Sequence, residues 1–116
     1  MNSPSHKRLN DRWIRKPTSR YKQLIRVAGY RKLDVTITLD EFTQLIEQSC
    51  FYCKGSLPAT GSGLDRLDNK MGYVHGNIVP CCKRCNFVKG CLENAGFRYP
   101  RTEELLRELL KTNLEN

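Results

Sequence analysis

No apolar run in the 116-residue chain approaches the ~20 residues that a membrane-spanning helix needs. Nor does any N-terminal stretch resemble a signal peptide. The expected compartment is therefore cytoplasmic, where cysteines stay reduced and closely paired cysteines read as metal ligands. Disulfides would require a secretion route. Apolar residues are sparse as well, at 39%, below the usual globular share. A chain of this size hides only about two-thirds of its surface on folding, so its core is small and a covalent or metal staple is expected. There is no internal repeat and no composition break that marks a second domain. Acids are scarcest at one end: residues 1–32 hold a single acid, Asp11, against ten Lys and Arg. The remaining 84 residues hold ten bases and eleven acids, so the +8 formal charge lies in the N-terminal quarter. Lys7, Arg8, Arg12, Arg15, Lys16, Arg20, Lys22 and Arg26 are the candidate polyanion contacts, against the plainer reading of a solvated basic tail. Trp13, Tyr21 and Tyr30 interleave with these charges, which favours nucleic acid.

The chain reads as four regions. Residues 1–17 form a basic segment expected to be flexible, with Pro17 as a break. Residues 18–49 are helical: one helix from Ser19 to about Ala28 stopped by Gly29, and a second capped by Thr38 with Glu41 completing a capping box. Residues 50–90 carry the cysteines. Within them Leu64–Leu67 and Asn77–Cys81 read as two short strands, and a helix starts at Cys82. In residues 91–116, Thr102 can cap a last helix whose Leu105, Leu106, Leu109 and Leu110 share one face.

Six cysteines are what the chain has in excess. Cys50-x-x-Cys53 and Cys82-x-x-Cys85 are two knuckles, and two such turns complete a tetrahedral zinc site with no open position. That zinc would be structural. Cys81 and Cys91 have no partner at knuckle spacing and read as small core or surface residues.

Cys50/Cys53, Gly63-Leu-Asp-Arg-Leu-Asp68, Gly72-Tyr73, Asn77-Ile-Val-Pro-Cys-Cys82 and Cys85-Asn86-x-x-Lys89-Gly90 follow one another in an order that resembles the HNH, or ββα-metal (His-Me finger), endonucleases with a four-cysteine zinc. The resemblance covers about a third of the chain. It implies an α+β fold in which a short two-stranded hairpin is flanked by helices, and a phosphodiester hydrolase leaving 5′-phosphate and 3′-hydroxyl ends. It implies that Asp65 and Asn86 hold a catalytic Mg²⁺ or Mn²⁺, and that Asn77 ties the connecting loop. Arg66 stands where the family most often has a histidine base. A guanidinium cannot take the proton, but it suits a grip on phosphate. Three proton acceptors remain open: Tyr52, in the first knuckle, if Arg66 and the ion lower its pKa; His75, with the more convenient pKa; or metal-bound hydroxide. Lys89 is expected either to contact a phosphate or to cap its helix.

Two further readings belong to other classes. One is a zinc-knuckle nucleic-acid-binding module without catalysis, which Arg66 favours and the Asp65–Asn86 pair opposes. The other is a protein-binding module using the Leu105–Leu110 face, which is more simply a core contact or a homodimer seam. The resemblance makes DNA the expected partner, with nicking by a monomer and double-strand cutting by a dimer. A phage or mobile element in a bacterial host fits a short stand-alone product of this kind.

Overall fold

A computed structural model describes residues 16–57 and 63–115, with side chains through Lys111. The sequence expectations for residues 1–15, including Lys7, Arg8, Arg12 and Arg15, lie outside the described residues. The described chain is α+β. It runs α1 (Pro17–Tyr30), α2 (Leu39–Ile46), β1 (Leu64–Arg66), β2 (Ile78–Pro80), α3 (Lys83–Asn94) and α4 (Arg101–Glu115).

Helix α1 is longer at both ends than its pattern suggested. Pro17 opens it rather than breaking it, because the first helical residue needs no N–H donor. Gly29 lies inside it. The stop comes from Lys32, at φ +57: its N–H donates to the Gly29 carbonyl and that of Leu33 to the Ala28 carbonyl. That is a Schellman ending with lysine in the left-handed position usually held by glycine. In α2 the capping box is present in full, Thr38 Oγ1 accepting from the Glu41 N–H and Glu41 returning a bond to the Thr38 N–H. Helix α4 starts at Arg101, so Thr102 lies in its first turn and is not the cap. Its hydroxyl faces inward, buried and without a partner among the described residues.

β1 and β2 pair antiparallel, with Leu64 opposite Pro80, Asp65 opposite Val79 and Arg66 opposite Ile78. Successive strand residues point to opposite faces, and the three-residue strands use this to divide the molecule. On one side Leu64 and Ile78 join Leu24, Ala28, Ile37, Phe42 and Tyr73. On the other, Val79 joins Cys50, Tyr52, Leu67, Cys81, Cys85 and Leu106. Helices α1 and α2 cover the first side, locked by the Tyr21 hydroxyl donating to the Ile37 carbonyl at 2.6 Å. The knuckles with α3 and α4 cover the second. The link between α1 and α2 touches the long β1–β2 connection through a parallel bridge of Val35 and Tyr73. Gly72 is required there, because a Cβ would fall 2.3 Å from the Asp34 carbonyl oxygen. No helix among the described residues is long and apolar enough to cross a membrane.

Candidate active site

The hairpin is fixed at its base by thiols. Sγ atoms of Cys50, Cys53, Cys82 and Cys85 all lie within 4.8 Å of one another, and those of Cys53 and Cys82 are 3.7 Å apart. A tetrahedron with Zn–S arms of ~2.3 Å has edges near ~3.8 Å, so the donor set and its spacing fit zinc. Each knuckle also aims a backbone N–H at sulfur: Gly55 at Cys53, 3.3 Å, and Cys85 at Cys82, 3.5 Å. Burial acts to raise the Cys50 thiol, but hydrogen bonding with the backbone of Cys53, Cys82 and Tyr52 brings it down to about 7. Burial pushes Cys82 and Cys85 up. Such a set ionises fully only against a cation. The Phe51 N–H donates to the Pro80 carbonyl and the Cys81 N–H to that of Gly63, which joins both knuckles to the strands.

Asp65 is therefore held on a short, braced strand. Its side chain shares the face of Val79 and is 7% exposed. The Tyr52 hydroxyl donates to Oδ2 at 2.8 Å, and Lys89 Nζ to Oδ1 at 3.2 Å. Burial pushes the Asp65 carboxyl up, and the charge and hydrogen bonds of Lys89 and Tyr52 pull it partly back. The phenol of Tyr52 is pushed up too, first by burial and then by the Asp65 charge. Without a cation this is opposite to the shift a base needs.

The long β1–β2 connection is organised by Asn77, 4% exposed. Its amide donates to the carbonyls of Asp68 and Gly72, and its carbonyl oxygen accepts from the Asp68 N–H at 2.9 Å. Arg66 Nη1 donates to the carbonyls of Asn69 and Met71, both at 2.9 Å, and the guanidinium lies over the Tyr73 ring at 5.6 Å. Asn86 is exposed on the first turn of α3, directly after Cys85. Asp65, Arg66 and Asn86 all line one cavity of about 220 Å³, together with Arg31, Leu64, Asn69, Tyr73 and Glu93. His75 is elsewhere. Its Nδ1 sits 2.9 Å from Glu41 Oε2, and it lines a separate cavity with Ile37, Gln44 and Val74.

Two expected DNA contacts are corrected. Lys89 is 1% exposed, and its ammonium is spent on Asp65 Oδ1, the Arg66 carbonyl at 2.6 Å and Glu93 Oε2 at 2.9 Å. With three donors and three protein acceptors it has nothing left for a phosphate. Arg20 is buried as well, at 7% exposure beside Gly63, whereas Lys16, Lys22 and Arg26 are exposed. Glu93 escaped the sequence reading. The signal was there: Asn86, Lys89 and Glu93 recur at spacings of three and four, one stripe of α3 facing β1.

No protein-family model matches the chain. An uncharacterized protein of Acanthamoeba polyphaga mimivirus is 36% identical over 75 residues, 65% of this chain, and the chain spans only 14% of that relative's length. Among solved structures the rare-cutting HNH restriction endonuclease PacI superposes with a TM-score of 0.59 at 18% identity, over 84% of this chain and 78% of that one. The chain therefore has the ββα-metal fold of the HNH endonucleases, and its four-cysteine cluster fits the zinc-bearing subgroup of that fold.

Proposed function

We propose that the chain is a divalent-metal-dependent DNA endonuclease that hydrolyses phosphodiester bonds to 5′-phosphate and 3′-hydroxyl ends, with a structural zinc on the four cysteines. The observation that carries this reading is a buried carboxylate on a thiol-braced hairpin, opening with Arg66 and Asn86 into one polar cavity. Burying an ionised acid costs stability, and a fold has no need to aim it at a cavity.

Asp65 and Asn86 are the oxygen donors for a hard ion that keeps part of its water shell, and Mg²⁺ or Mn²⁺ suits them. Bound there, such an ion supplies charge neutralisation to the phosphoryl and leaving oxygens. Arg66 holds the phosphate. Its two carbonyl bonds use only Nη1 of a five-donor fork, and they fix the fork at the cavity wall. Asn77 keeps the loop that positions Arg66 closed. Tyr52 is the proton acceptor best placed by contact, since its oxygen already touches Asp65. A cation at Asp65 would offset the carboxylate's part of its raised pKa, the smaller part after burial. His75, paired with Glu41 in another cavity, is the weaker candidate. Lys16, Lys22 and Arg26, with the basic residues before them, would track the DNA backbone.

The non-catalytic binding module keeps one observation in its favour: both Asp65 oxygens already have protein partners, Tyr52 and Lys89. Separating binding from cutting decides between the two. Arg66→Ala is expected to slow single-turnover cleavage of a labelled duplex by about 10²–10³-fold, and Tyr52→Phe by at least about 10²-fold. Binding of the same duplex should change by less than about threefold, because most affinity comes from backbone charge elsewhere. Equal losses of binding and cutting would support a binding surface instead.

A further inference from the structure

Lys89 and Glu93 have no part in the proposed chemistry, yet they are built into its centre. Both acids bond the same ammonium, Asp65 through Oδ1 at 3.2 Å and Glu93 through Oε2 at 2.9 Å. Two carboxylates against one buried lysine leave the trio one negative charge in excess. Arg66 and Arg31 line the same cavity, but neither forms an ion pair with these acids among the described residues; Arg66 Nη1 is turned to the Asn69 and Met71 carbonyls. A neutral pair of Asp65 with Lys89 would be enough to fold the strand onto α3. The second acid, one helical turn beyond Lys89, is the extra part. It draws the lysine along α3 and shares a charge that would otherwise fall wholly on Asp65.

We infer that Lys89 and Glu93 are positioning residues that set the charge, and so the divalent-cation affinity, of the Asp65–Asn86 site. Lys89 is the resident counter-ion that keeps Asp65 aimed at the cavity and weakens cation binding. Glu93 offsets Lys89 so that the Asp65–Lys89–Glu93 trio stays net negative and an added cation is still favoured. The inference rests on the nuclease reading, because it presumes that a cation belongs there.

The test is Mn²⁺ affinity, measured by electron paramagnetic resonance on zinc-loaded protein without DNA, for wild type, Lys89→Met, Glu93→Gln and Asp65→Asn. Removing the lysine charge should tighten binding by about tenfold or more, and removing the Glu93 charge should weaken it by a similar factor. Asp65→Asn should abolish binding. Near-ultraviolet circular dichroism reports which variants keep native packing; if Lys89→Met does not fold, the partly exposed Glu93→Gln decides alone. Mn²⁺ affinity unchanged in the folded charge variants, or weakened in Lys89→Met, with Asp65→Asn still inactive in binding, overturns this inference and leaves the nuclease reading standing. No Mn²⁺ bound by wild type overturns both.

Discussion

At the scale of single residues, burial of Asp65 decides how the site behaves. Its carboxyl is pushed above the usual carboxylate range, burial outweighing the help from Lys89 and Tyr52. The linkage sign follows directly. A folded-state pKa above the unfolded one contributes stability that is complete below the unfolded value near ~3.9, and that is lost as pH rises through the folded value. Ionising Asp65 without a divalent ion therefore costs the fold stability as pH rises. Asp65→Asn should raise the melting temperature at pH 7, with the gain vanishing near pH 4 and reversing in sign when Mn²⁺ is added to wild type. A calorimetric pH series on both proteins checks this. The four cysteines could be read from their spacing alone, whereas Asp65, Arg66 and Asn86, the residues proposed for the chemistry, stood out only through the resemblance to the HNH endonucleases. The role of Lys89 was legible in neither. A lysine beside a glycine in a basic chain reads as a phosphate contact, and only the packing of α3 against β1 shows that its ammonium points inward.

At the scale of elements, local signals worked where the chain carries them in its own backbone chemistry. The α2 capping box was legible because Thr38 and Glu41 need only each other. The end of α1 was not, because Gly29 advertised a stop that Lys32 supplies. Lysine in a left-handed conformation pays a steric cost that glycine avoids. Lys32→Gly should therefore stabilise the protein by about 0.5–1 kcal/mol in urea unfolding, with DNA affinity nearly unchanged; destabilisation would mean that the Lys32 side chain makes a contact worth more than its strain. Thr102 misled for a related reason. A threonine ahead of an apolar stripe reads as a cap, but here it turns into the core beside Leu106 while the helix starts one residue earlier. The first strand was placed one residue too long and the second two, because six paired residues give almost no periodicity to read.

At the scale of the whole molecule, two small apolar clusters among the described residues share one short hairpin, and the thiol cluster belongs to one of them. Neither cluster is large, so zinc binding is expected to supply a major part of the folding free energy. Stripping the metal with a strong chelator, or changing Cys53 to Ser, should abolish the cooperative thermal transition; a transition retained within a few degrees would reduce the cluster to a minor brace. The α+β architecture was visible in the sequence because knuckles, turns and caps punctuate it. The division into two layers was not, because it depends on which face of a three-residue strand each side chain takes. On the proposed nuclease function one site would cut one strand, so a monomer is expected to nick. Metal-dependent cleavage is tested in supercoiled plasmid incubated with wild type and with Asp65→Ala, each with Mg²⁺, with Mn²⁺ and with EDTA. Open-circular product is expected that requires the ion and falls by about 10³-fold or more in the variant. Plasmid that is bound but stays supercoiled with every ion, or that is cut equally well by Asp65→Ala, would contradict the proposed function.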